Sequence, residues 1–111
     1  MDKREHLLTC LAEECAEVQQ AISKALRFGL GDGYPGTDRT NEGDLLNELN
    51  DLFAVVEMLH DVGIWWRIDS EAVAAKKARV EKFMAYAEQR GTLTPNAKVS
   101  GGGTPSAALP G

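Results

Sequence analysis

Apolar residues recur through the first part of the chain at alternating intervals of three and four: Leu8, Leu11, Cys15, Val18, Ile22 and Ala25. This spacing predicts an amphipathic helix from about Arg4 to Phe28, with no Gly or Pro inside it before Gly29. A second helix is predicted from about Glu42 to Val62. Its seam is Leu45, Leu49, Leu52, Val56 and Leu59, widened by Leu46 and Phe53. Thr40 or Asn41 can cap its start, and Gly63 ends it. A third helix starts near Asp69 or Ser70 and runs to about Arg90, where Gly91 stops it. Its seam is Val73, Val80, Phe83 or Met84, and Ala87.

The segment GLGDGYPGTDRTNEG between the first two helices is rich in turn formers. It is no calcium loop, because a frame starting at Asp32 puts Gly43 where a bidentate Glu must stand. The pattern divides the chain into a helical domain over residues 1–91 and a tail over 92–111. The tail, rich in Gly, Pro, Ser and Ala, reads alone as disordered. The expected fold class is all-α: an antiparallel bundle with three main helices per chain. Helix two is apolar on more than one side, which three helices do not easily cover. The bundle is therefore expected to be completed by homo-oligomerisation, with helix two at or near the interface.

With 111 residues the chain is one domain by size. A net charge of −5 and a pI near 5.0 disfavour nucleic acid and anionic membrane as partners. No apolar run approaches the ~18–20 residues of a membrane span, and no apolar block follows MDKREHLL, so no signal peptide is expected. Cys10 and Cys15 point about 140° apart on a helix, which excludes a disulfide between them. They are expected as small buried apolar groups in a reducing, cytoplasmic compartment.

The chemistry lies in the acids. Glu13, Glu14 and Glu17 fall within about 100° of arc on helix one, and Glu14 flanks the apolar seam. On helix two, Glu48 and Asp51 share a face at i, i+3, on the same stripe as Asp44 and Asn47. With the helices antiparallel, Glu14 pairs in height with Asp51 and Glu17 with Glu48. Like charges at about 4 Å cost about 4 kcal/mol each at an effective dielectric near 20. A solvated acidic face would not place acids beside two core seams, whereas a hard divalent cation accounts for the arrangement. Oxygen-only ligands favour Mg²⁺ or Mn²⁺. A di-iron bundle needs a His three residues after a Glu. The two histidines, His6 and His60, do not provide it, and they are expected as surface or satisfied polar residues.

These segments, LAEECAEVQQAISKALRFG and NELNDLFAVVEML, resemble the EExxE…ExxD signature of the MazG-like all-α nucleoside triphosphate pyrophosphohydrolases. The phrasing is most similar to phage and prophage members, and the resemblance covers roughly residues 5 to 90. It implies that Glu14, Glu17, Glu48 and Asp51 hold Mg²⁺ or Mn²⁺, with two or more ions accommodated. Glu13 matches the first Glu, which holds a further ion or accepts the proton of water. The implied reaction converts a (deoxy)nucleoside triphosphate to monophosphate and pyrophosphate, in the cytoplasm of a bacterial or phage-infected cell. The phage branch makes dGTP or GTP the first expectation, with dUTP, dCTP or damaged nucleotides as alternatives. Family members are commonly dimers or tetramers.

Substrate contacts are expected at Asn47, on the acidic stripe, and at Lys76, Arg79 and, more weakly, Lys82 on helix three, for which an ordinary solvated face is the alternative. In the antiparallel pairing helix one overhangs helix two by about five residues, roughly 8 Å. The overhang carries Lys24, Arg27 and Phe28 beside the Gly-rich loop and is read as a nucleotide lid. Phe28 either stacks on a base or packs, and Trp65 and Trp66 are expected to pack. The competing function is a non-enzymatic helical oligomer stapled by a metal ion.

Overall fold

The computed structural model describes residues 1–95; most of the expected tail lies outside the described residues. Three α-helices form, α1 (Lys3–Phe28), α2 (Asn41–Leu59) and α3 (Ser70–Arg90), and there is no strand among the described residues. No helix among them is long and apolar enough to cross a membrane. The chain divides into two compact units, Met1–Arg67 and a second beginning at Ile68.

In the first unit α1 begins with a capping box that the apolar pattern does not reveal. Asp2 Oδ1 accepts the Glu5 N–H at 2.8 Å, and Glu5 Oε1 accepts the Asp2 N–H at 3.2 Å. Such a cap contributes about 1 kcal/mol. Gly29 (φ 98°) ends the helix, and its N–H donates to the Ala25 carbonyl at 2.8 Å. The chain then returns in a loop pinned to the start of α2. Asn41 N–H donates to the Asp32 carbonyl at 2.7 Å, Glu42 N–H to that of Leu30 at 3.0 Å, and Asn41 Nδ2 to that of Gly29 at 2.8 Å. Gly33 is required here, because a Cβ would fall 1.7 Å from the Arg39 carbonyl oxygen. Thr40, not Asn41, is the cap of α2: its Oγ1 accepts the Gly43 N–H at 3.0 Å.

The helices run antiparallel, since the end of α1 meets the start of α2 while Leu11 shares an apolar hollow with Leu52, Val56 and Leu59. Burial traces the true seams. On α1 they are Leu7, Leu11, Glu14, Val18, Ala21 and Ala25; on α2, Asn41, Leu45, Glu48, Leu52, Val55 and Leu59. Each series alternates steps of four and three. The expected register on α1 is therefore corrected by one residue at every second position. Leu8, Cys15 and Ile22 are exposed, and Leu7, Glu14 and Ala21 take the inner places. On α2, Leu49 is likewise exposed, while the expected Val56 is half-buried beside Val55. Cys10 is half-buried and Cys15 exposed, so the expectation of two buried thiols fails for Cys15; both are free.

After α2 a 3-10 turn over His60–Val62 ends at Gly63 (φ 87°). His60 stacks on Trp65 at 5.2 Å between centroids, and its Nε2 lies 3.2 Å from the Trp66 carbonyl oxygen. Trp66 meets Phe53 edge-on at 6.4 Å. His60 is thus a half-buried polar residue with partners, as expected, whereas the tryptophans, expected to pack, each make one ring contact and stay exposed, Trp65 by 71% and Trp66 by 49%.

In the second unit Asp69 caps α3, its Oδ1 accepting from Glu71 N–H at 3.0 Å and Ala72 N–H at 3.1 Å. Gly91 (φ 80°) terminates it. Val73, Val80, Phe83 and Met84 are exposed on this helix.

Candidate metal centre

The inner positions of α1 and α2 are apolar except where they carry Glu14, Asn41 and Glu48. Asn41 is accounted for by its bond to the loop. Glu14 and Glu48 face each other across the helix pair with no such partner, and Asp51 joins them from the next turn of α2. One carboxylate oxygen from each of Glu14, Glu48 and Asp51 lies within 4.8 Å of the others. A cation holding oxygens at about 2.0–2.6 Å separates opposite ligands by about 4–5 Å. The three carboxylates therefore fit one hard divalent ion. Nitrogen and sulfur are missing from the set, which suits Mg²⁺ or Mn²⁺.

Electrostatics mark the same residues. The Glu14 carboxyl is raised above its ordinary 4.5, first by desolvation, then by Asp51, Glu17 and Glu13. The Glu48 carboxyl is raised too, first by desolvation, then by Glu17, Asp51, Glu14 and Asp44. Among the described residues the one ion pair is Arg39–Asp44 at 3.1 Å, so no cationic side chain neutralises the group.

The sign of the pH effect follows. Folding raises both pKa values, so the folded metal-free protein holds more protons than the unfolded chain between pH 4.5 and the raised values. The repulsion is absent below that window and complete above it. Metal-free stability should therefore decline as pH rises through the window. Melting curves in EDTA should show this slope in the parent and a flatter one in a Glu14→Gln, Glu48→Gln variant. Identical slopes would contradict the assignment.

A hollow of about 300 Å³ opens beside the cluster, lined by Glu17, Lys24, Arg39, Asp44, Asn47 and Glu48 among others. The structure brings Glu17, Lys24 and Asn47 to one cleft with Glu48; Lys24, expected on the overhang of α1, lines this cleft as well as the neighbouring one. Glu13 is exposed on α1 and acts on Glu14 through its charge. Phe28 lines a neighbouring hollow, with the Arg27 guanidinium 5.4 Å from its ring centre. Lys76 and Arg79 are exposed on α3 in the second unit.

Arg39 escaped the sequence reading. Its fork donates to Asp44, Nε at 3.4 Å and Nη2 at 3.1 Å, and its guanidinium lies 5.8 Å from the Tyr34 ring centre. The available signal was that Arg39 is the one Lys or Arg between Arg27 and Arg67. Compared with known proteins, the chain matches no family model, no curated sequence and no solved structure.

Proposed function

We propose that this chain is a MazG-like pyrophosphohydrolase that uses Mg²⁺ or Mn²⁺ to cleave a nucleoside triphosphate into monophosphate and pyrophosphate. The observation that carries the reading is the triad of Glu14, Glu48 and Asp51, unneutralised by protein cations, beside a cleft holding Lys24 and Arg39. Purely structural acids gain nothing from this placement, whereas a polyphosphate needs both halves of it. A bound cation would neutralise phosphate charge and polarise the phosphorus under attack.

The protein's own part is positioning. Glu14, Glu48 and Asp51 would hold the ion, with Glu17 adding a further oxygen from the cleft wall. Lys24 and Arg39 would take phosphate oxygens, Arg39 kept in place by Asp44. Glu13, the remaining acid of the set, would take the proton of water or hold a further ion. Lys76 and Arg79 stay as candidate phosphate contacts, on the sequence argument alone. Guanine (deoxy)nucleotides are the first substrates to try, followed by dUTP, dCTP and damaged nucleotides.

Pyrophosphate release across a panel of NTPs and dNTPs tests the reading. Turnover with Mg²⁺ or Mn²⁺ and none in EDTA is expected. No turnover of any substrate with either ion would overturn the enzyme and leave a metal-stapled module.

We also propose a homo-oligomer. Leu49, Phe53 and Trp66 are exposed around an apolar hollow of about 600 Å³, and Leu46 is exposed on the same helix. Light scattering at micromolar concentration should give a dimer or tetramer; a monomer would contradict it.

A further inference from the structure

The cleft beside the carboxylates adjoins a second hollow of about 320 Å³, and the two share Lys24, Arg39 and Asp44. The wall of the second hollow has a different chemistry. Phe28 and Tyr34 leave 59% and 67% of their surface exposed. Each ring has a guanidinium near it, Arg27 at 5.4 Å and Arg39 at 5.8 Å. A cation over one face of an aromatic ring leaves the opposite face for a planar partner.

The polar groups of this wall include two oxygen acceptors. Asn41 is 7% exposed; its Nδ2 is committed to the Gly29 carbonyl, and its Oδ1 takes no hydrogen bond among the described residues. That oxygen is not sealed off, since no buried polar side-chain atom among the described residues lacks a partner. Asp32 accepts the Gly33 N–H with Oδ1 at 2.9 Å, and its Oδ2 is likewise unused. Both oxygens are thus open acceptors on the wall of the hollow, free to take N–H donors from a ligand. From Asn41 to Glu48 is seven residues of α2, roughly 10 Å along the axis. A nucleotide laid along the helix with its phosphates at the carboxylates would bring its base to this hollow.

We infer that the second hollow is the base subsite and that it takes a base bearing an exocyclic amino group. The base stacks on Tyr34 and Phe28, its amino N–H groups donate to Asp32 Oδ2 and Asn41 Oδ1, and Arg39 stands between the base and the phosphates. This inference rests on the nucleotide reading above and extends it from the metal and phosphates to the residues that would choose the base. A base lacking the amino group forgoes both hydrogen bonds, so discrimination comes from two oxygens rather than from size.

The test is calorimetric titration, with Mn²⁺ present, of the non-hydrolysable α,β-imido analogues of dGTP and dITP, which differ by one amino group. Inorganic tripolyphosphate serves as the base-free probe. The parent should bind the dGTP analogue at least tenfold more tightly than the dITP analogue. Tyr34→Ala should weaken both nucleotides about tenfold and leave tripolyphosphate unchanged. Asp32→Asn, which keeps an oxygen for Gly33 and turns the free acceptor into a donor, should erase or invert the preference. Both residues are exposed in the loop, and an unchanged far-ultraviolet dichroism spectrum confirms that the variants fold. Equal affinity of the parent for both analogues, or nucleotide binding by Tyr34→Ala at parent strength, overturns the base subsite while tripolyphosphate binding keeps the metal–phosphate reading intact. A parent that binds neither nucleotide nor tripolyphosphate overturns the functional reading and this inference with it.

Discussion

Replacing Glu48 or Asp51 with alanine is expected to reduce turnover to near zero while leaving helical content unchanged. Each substitution removes one of three oxygens that converge within 4.8 Å, and neither adds bulk to the helix interface. Loss of a residue that merely supports a metal ligand costs about 10–100-fold; loss of a ligand should cost more. Glu48 is the stronger case. It occupies an inner seam position, half-buried between Leu45 and Leu52, where an apolar side chain would pack better. Alanine there removes a desolvated charge, so a stability loss cannot account for lost activity. Steady-state rates with saturating Mg²⁺, read beside circular dichroism, check this. Activity within a few-fold of the parent in either variant would show the ligand assignment to be wrong.

The second large effect is on stability. Without metal, Glu14 and Glu48 are desolvated against each other and against Asp51 and Glu17. An ion that binds only the folded state relieves this repulsion and adds RT ln(1 + [L]/Kd), about 2.7 kcal/mol at a hundredfold excess over Kd. For a domain of this size the melting temperature should rise by roughly 10 °C or more. Mn²⁺ should act at least as well as Mg²⁺, since it binds a given oxygen site more tightly. Monovalent salt at matched ionic strength should do far less. Glu14→Gln and Asp51→Asn should invert the pattern, melting higher than the parent in EDTA and responding less to Mn²⁺. Both delete charge and keep shape. Scanning calorimetry of parent and variants decides it; equal parent melting points with and without Mn²⁺ would mean no preassembled site.

The helices were legible because their ends are chemically marked. Gly29, Gly63 and Gly91 stop them, all at positive φ, and Thr40 and Asp69 start two of them. The register of α1 was misread for a physical reason that bears on the site. Two stripes share Leu11, Val18 and Ala25; one adds Leu8, Cys15 and Ile22, the other Leu7, Glu14 and Ala21. Apolarity favours the first stripe, yet the fold uses the second, which carries a half-buried glutamate. Pattern reading therefore placed Glu14 beside the core when it is part of it. Glu17 and Asn47 were legible from helical angle, and Lys24 only as part of the overhang of α1. Arg39, Tyr34 and Asp32 were not, because a loop has no period: their places follow from the hydrogen bonds that tie the loop to Asn41 and Glu42.

Titration of Mn²⁺ into the protein, followed by electron paramagnetic resonance, tests most directly whether these carboxylates form a metal centre. Aqueous Mn²⁺ gives a sharp six-line spectrum that is lost on binding. At neutral pH and without nucleotide, the parent should remove at least one Mn²⁺ per chain from the free signal. Glu48→Gln and Asp51→Asn should leave that ion in solution. A parent that binds no Mn²⁺, or variants that bind it as the parent does, would contradict a centre built from Glu14, Glu48 and Asp51.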